Sequence, residues 1–252
     1  MKAVYRWLGL VLVAVVALQL FFVARIAIMA VLDPQSTAFE RSQAWRVLSE
    51  PGSFHWRQQW VPYNQISDHL KRAVIASEDD GFSNHDGVDW DALEKAWQKN
   101  AKAEAQVARV QASQKPGASP DKITRAIKPP KVIGGSTITQ QLAKNLLLSG
   151  ERTLLRKGQE FVLTLLLEAL LDKRRILEIY LNNVEWGDGV FGAEAAAQRY
   201  FGKPASKLGP LEAARLAVML PRPKYFEKLP NSSYITGRAS IISHRMADAE
   251  LP

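Results

Sequence analysis

The run from Trp7 to Ala24, WLGLVLVAVVALQLFFVA, carries no charge and a single polar side chain, Gln19. A helix rises about 1.5 Å per residue, so this run spans roughly 27 Å, close to the hydrocarbon thickness of a bilayer. A chain with such a start either crosses a membrane or loses the run on export. A cleavable export signal has a shorter apolar core, about 7 to 15 residues, ending in a small-x-small site. Neither feature fits, and an uncleaved single-span anchor is expected over residues 7–32. Lys2 and Arg6 precede the run, which places residues 1–6 in the cytoplasm and the remainder outside. Arg25 blurs the outer boundary.

The rest of the chain is basic: net charge +8 and an isoelectric point near 9.7. Such a surplus suits anionic lipid headgroups, a phosphorylated substrate or nucleic acid. The tether to a membrane and the lack of any recognition motif argue against nucleic acid. Cysteine is absent, so neither a disulfide framework nor a thiolate metal site is available.

Residues 33–59 hold Pro34, Pro51 and Gly52 as breakers and read as a linker or membrane-proximal segment with at most a short helix. Beyond it, NQISDHLKRAVIASEDD sets Ile66, Leu70, Ala73, Val74 and Ser77 on one helical face, and Gly81 supplies the stop. Glu78 then falls in the last turn of a helix. Residues 99–131 are rich in Ala, Lys, Gln and Pro, with few large apolar groups, and are expected to be a mobile insertion or a frayed helix. Helices are expected again from about Thr153 to Asp172, in KRRILEIYLNNV and at Leu211–Met219. Strand signals are sparse, so residues 60–252 should form one mainly helical domain.

Three stretches carry chemistry. Ile75 to Asp91, IASEDDGFSNHDGVDWD, gathers six carboxylates around one histidine. A calcium loop fails, because with Gly87 as the loop glycine the flanking ligand positions fall on Phe82 and Leu93. What remains is Glu78 at a helix C-terminus beside Asp79 and Asp80, where the helix dipole and like charges raise its pKa toward that of a general base. Taken alone, the stretch suits a solvated acidic loop at least as well. In GGSTITQQLAKN, Thr137 and Gln140 fit a capping box. Thr137, Gln141 and Lys144 recur at helical spacing as a polar, cationic stripe opposite Ile138 and Leu142, suited to a sugar and a phosphate. In RTLLRKGQE, Arg156 and Glu160 form an i, i+4 pair, ordinarily a surface ion pair. The apolar run that follows makes this helix central, and Arg156 and Lys157 beside Glu160 then suggest a diphosphate clamp.

Together these segments resemble the peptidoglycan glycosyltransferases, lysozyme-like enzymes that polymerise lipid II. The resemblance rests on Glu78, Asp79, Phe82, His85 and Gly87; on Gly135 to Asn145; on Arg156, Lys157 and Glu160; and on Lys173, Ile176, Leu177, Glu178, Tyr180, Leu181 and Asn182. It covers about Trp60 to Pro223. With no room for a transpeptidase domain, the monofunctional type is expected. The implied architecture is a mainly α, lysozyme-like helical domain with a smaller membrane-proximal lobe, after one transmembrane helix.

The resemblance also implies a mechanism. The 4-hydroxyl of one lipid-linked sugar attacks the anomeric carbon of the growing chain, expelling undecaprenyl diphosphate, and an α-linked donor gives a β-linked product with inversion. Glu78 would be the general base and Glu160 would assist on the donor side, orienting Arg156 or holding a divalent cation, Mg²⁺ or Mn²⁺. Asp79, Phe82, His85, Ser136, Thr137, Gln141, Lys144, Asn145, Arg156 and Lys157 would bind substrate. No organic cofactor is expected. The implied partners are lipid II, the growing lipid-linked glycan, the membrane and other cell-wall synthesis or division proteins. The implied location is the bacterial cytoplasmic (inner) membrane, single-pass, with the catalytic domain on the periplasmic or extracellular face. Lytic cleavage of the same polymer is the nearest alternative, but it leaves Lys144, Arg156 and Lys157 without a task. A non-enzymatic membrane-tethered binder is the other.

Overall fold

A computed structural model of the chain describes residues 1–49, 56–112, 135–148 and 153–252. They fall into two units, residues 1–88 with 137–252, and residues 89–136.

The larger unit begins with α1 (Lys2–Ile28), long and apolar enough to cross a bilayer. Only its C-terminal end is packed: Phe22, Ile26 and the following Met29 are buried in the core of the unit. The polar residue inside the apolar run has a partner. Gln19 donates its amide N–H to Gln159 at 3.0 Å, and Gln159 donates back at 3.2 Å. An amide in an otherwise apolar run is costly to bury unless it is paired, and this reciprocal bond joins α1 to the domain at Gln159. Just beyond the helix, Arg175 donates to the carbonyls of Met29 and Leu32 and pairs with Asp33 at 2.8 Å.

The membrane-proximal segment is part of the domain rather than a free linker. It contains α2 (Ala38–Ser49), started by a reciprocal cap in which Thr37 N–H donates to Glu40 and Glu40 N–H to the Thr37 hydroxyl. Strand β1 (Arg57–Gln58) then pairs with β3 (Val190–Phe191), which also pairs antiparallel with β2 (Glu185–Gly187). This three-stranded ribbon is the sheet among the described residues; helices form the rest.

Those helices are α3 (Asp68–Glu78), α5 (Ile138–Leu147), α6 (Leu154–Leu170), α7 (Lys173–Asn183), α8 (Ala193–Phe201), α9 (Pro210–Met219), α10 (Pro223–Phe226) and α11 (Ser233–Arg245), with α4 in the second unit. Helix α3 starts at Ser67, whose side chain accepts from His69 N–H, and buries Leu70, Ala73 and Val74 against α9. Asn182 on α7 clamps the extended segment ahead of α3, accepting from Val61 N–H and donating to Val61 O, both at 2.9 Å. Residues 231–252, whose order the sequence leaves open, form α11 and a strap. Arg72 donates to Ala249 O, Ser83 to Glu250 O, and Arg245 pairs with Asp80 at 3.0 Å. The strap thereby closes over the loop that follows Glu78.

The smaller unit carries α4 (Trp90–Ala112), whose start is capped by Asp89 accepting from Ala92 N–H at 2.8 Å. Of the two expectations for residues 99–131, mobile insertion or frayed helix, the described part is helix as far as Ala112, as its Ala, Lys and Gln content favours. Residues 113–131 lie outside the described residues, as does Gly134.

Candidate active site

Glu78 is the last residue of α3, because Asp79 leaves helical geometry at φ −162°. Gln141 on α5 donates to Glu78 Oε2 at 3.0 Å. The amide orientation is fixed from its other side, where the Tyr180 hydroxyl donates to Gln141 Oε1 at 3.0 Å. Tyr180 is fully buried, and burial with the nearby charges of Glu78 and Asp79 raises its pKa well above the ordinary phenol value. It stays a hydroxyl and must donate, so the NH₂ end of Gln141 faces Glu78.

The Glu78 carboxyl is raised above its ordinary value, chiefly by burial and to a lesser degree by Asp79; the bonds from Gln141 and Ser77 pull the other way. The expected direction holds, with burial as its leading cause where the sequence suggests the helix dipole and like charges. Asp80 is exposed and paired with Arg245. Asp79 is turned inward: Oδ2 accepts from Ile138 N–H, at the start of α5, at 2.9 Å, and Oδ1 lies 2.8 Å from His85 Nε2. Gly87 N–H donates to His85 Nδ1 at 3.1 Å, which leaves Nε2 as the protonated nitrogen donating to Asp79. Gly87 itself has φ +83°, and a Cβ there would come within 2.7 Å of Thr164 Cγ2, so glycine alone fits this bend.

Phe82, expected to touch substrate, has no exposed surface, and Lys173 Nζ sits 4.7 Å above its ring. Thr137 is buried as the cap of α5 and donates to Gly87 O at 2.6 Å, so it leaves the expected polar stripe. Both act from inside the protein, as supports for the loop that carries Glu78. Lys173 completes this support by donating to His85 O and pairing with Glu168 at 2.8 Å. Glu168 in turn accepts from the Thr139 hydroxyl at 2.6 Å.

On the solvent side, Gln141, Lys144, Asn145, Arg156 and Glu185 line one cleft of about 530 Å³. Gln141 therefore joins the two halves: it lines the cleft and holds Glu78. Glu160 is 4% exposed and binds Arg156 at 3.2 Å and Lys157 more closely, so this is not a surface ion pair. Arg156 lines the cleft with its guanidinium, whose Nε is buried without a hydrogen-bond partner. Lys157, with 56% of its side chain exposed, is less constrained, and Ser136 is exposed within the smaller unit.

A raised carboxyl held beside a cationic cleft can take a proton from a hydroxyl while an anionic group departs. The sequence model of the family described as Transglycosylase matches residues 46–119 and 113–247. The chain belongs to this transglycosylase family. A relative in Burkholderia thailandensis is 50% identical over 255 residues, spanning 100% of this chain and 90% of that protein. One in Burkholderia pseudomallei is 49% identical over the same shares, and one in Paraburkholderia xenovorans is 47% identical over 98% of this chain and 94% of its own. Each of the three is called a biosynthetic peptidoglycan transglycosylase.

Both Glu160 oxygens are engaged by cations, and no three His, Cys, Asp or Glu side chains among the described residues converge as a metal site. Glu185, which lines the cleft, was not visible as a site residue in the sequence. It starts a strand of three residues, too short for periodicity to show which way it points.

Proposed function

We propose that this transglycosylase polymerises lipid II into β-1,4-linked glycan strands of peptidoglycan by inverting glycosyl transfer, releasing undecaprenyl diphosphate, without transpeptidase activity. The observation that carries this reading is Gln141, which ties the raised carboxyl of Glu78 to the cleft lined by Lys144 and Arg156. A glycosidase must protonate a poor alkoxide leaving group and uses a second carboxyl to do so. A diphosphate leaves as an anion and needs positive charge instead.

Glu78 takes the proton of the acceptor 4-hydroxyl as that oxygen bonds to the anomeric carbon. The bond from carbon to diphosphate oxygen breaks, and the electron pair leaves with the diphosphate, met by Lys144 and the Arg156 guanidinium. Attack opposite the α-linked leaving group gives the β linkage. Glu160 holds the Arg156 guanidinium in place. Asp79 and His85 keep Glu78 at the mouth of α5.

The site works at a membrane. Both substrates carry polyprenyl tails, and on this reading α1 is a single span with the catalytic domain on the periplasmic face of the cytoplasmic membrane; its length and apolar character support the anchor. Leu154, Leu155, Phe161, Val162 and Leu165 of α6 are exposed, on the helix that Gln159 joins to α1. An apolar face continuous with a membrane anchor suits the bilayer surface.

The test is incubation of the detergent-solubilised full chain with labelled lipid II, with products separated by size. Polymer formation with stoichiometric diphosphate release and β-linked product by NMR is expected. Release of sugar from finished polymer with lipid II untouched would replace this reading by lytic cleavage.

A further inference from the structure

Glu185 opens β2 and is 8% exposed, yet it belongs to no part of the mechanism above. Its Oε1 has no hydrogen-bond partner. Lys224 on α10 lies 3.3 Å from that oxygen, an ion pair at the long end of contact, and shares its ammonium with other partners. Lys224 donates to Gln43 at 2.8 Å and pairs with Asp188 at 2.9 Å; Asp188 also pairs with Arg46 at 2.6 Å. A buried carboxylate oxygen left unsatisfied is costly unless a ligand completes it. Glu185 lines the same cleft as Lys144 and Arg156.

The cleft therefore has two electrostatic ends. Cations on α5 and α6 suit an anion, and a carboxylate on β2 suits a hydrogen-bond donor. A diphosphate has no donor to offer; a sugar attached to it has hydroxyls and, when N-acetylated, an amide N–H.

We infer that Glu185 is a substrate-contacting residue, accepting a hydrogen bond from a hydroxyl or acetamido N–H of the sugar whose diphosphate is held by Lys144 and Arg156. This rests on the proposed polymerisation reading. It assigns Glu185 to substrate selection and not to proton transfer, since the cationic side chains lie where the bond to diphosphate breaks.

Titration gives the contact a signature. Burial pushes the Glu185 carboxyl up to about 7, against the lowering effect of Lys224 and Arg46 and with a small upward push from Asp188. The ionised form is the better acceptor, so binding is strongest above this value and weakens as pH falls through it. Lys144 and Arg156 are the other charged side chains that line the same cleft.

The test is steady-state polymerisation of labelled lipid II by wild type, Glu185→Gln, Glu185→Leu and Lys224→Met between pH 6 and 8. A hydrogen bond to a charged acceptor predicts a KM raised about tenfold in Glu185→Leu, with kcat changed less than about twofold. Wild-type KM should rise as pH falls below 7, the isosteric Glu185→Gln should be flat over this range, and Lys224→Met should move the midpoint upward. If Glu185→Leu does not fold, Glu185→Gln carries the test through its pH profile. An unchanged KM in Glu185→Leu, or the wild-type pH dependence surviving in Glu185→Gln, overturns the inference while leaving polymerisation intact. Absence of polymerisation by wild type instead overturns the reading on which it rests.

Discussion

Glu78→Gln should abolish measurable glycan polymerisation, with a fall in kcat of about 10² to 10⁴, the range for loss of a positioned general base. The amide is nearly isosteric and retains an acceptor oxygen for Gln141, so the loop and its supports should be unchanged. Those supports do not involve the Glu78 carboxyl: Asp79 bonds Ile138 N–H, and Lys173 bonds His85 O and Glu168. Thermal unfolding of the variant should match or exceed wild type, because a buried carboxyl that prefers to be neutral costs stability when ionised. Binding of lipid II should survive. A variant that folds, binds and still polymerises at the wild-type rate would remove Glu78 from its role.

Arg156→Met is the second large effect. The substitution removes the guanidinium that lines the cleft and the charge that meets the departing diphosphate, while Lys157 still pairs with Glu160 and spares it from isolation. Loss of one preorganised donor to a developing anion predicts a fall in kcat of about 10² to 10³, larger than the change in KM. Arg156→Lys should recover only part of it, because a lysine cannot reproduce the forked geometry that engages Glu160 and a phosphate together. Single-turnover kinetics with pre-bound donor separates this from weakened binding; a rate within fivefold of wild type in Arg156→Met would show that Lys144 alone meets the leaving group.

Much of this geometry was legible locally. The apolar spacing of Leu70, Ala73 and Val74, with Gly81 as stop, placed Glu78 at a helix end, and Glu78 is the last residue of α3. The Thr137–Gln140 capping box is present as the pattern predicts. Features that depend on distant partners were not. Asp79 bonds a backbone N–H 59 residues away, so its turn inward cannot be read from its neighbours, which suggested a crowd of like charges. Phe82 and Thr137 have polar or aromatic chemistry that suits a ligand, but the core takes them. Glu185 is the converse case, a carboxylate in a sequence of mostly apolar and small residues that a short strand happens to aim into the cleft. The membrane-proximal segment holds the short helix its sequence allows, started by the Thr37–Glu40 cap, whereas the pairing of β1 with β3 depends on residues more than 130 positions away.

The account stands on a carboxyl at position 78 that is basic enough to deprotonate a sugar hydroxyl and is tuned by its neighbour Gln141. The most direct measurement is the pH dependence of kcat for lipid II polymerisation in wild type and Gln141→Leu. Activity belongs to the ionised carboxylate, so the rate falls as pH drops through its pKa; burial places that limb above the ordinary glutamate value of about 4.3. Removing the Gln141 donor withdraws support from the ionised form, and the limb should move to still higher pH. A limb at the ordinary value, or one that stays fixed when Gln141 is removed, would contradict the assignment of Glu78 as the base.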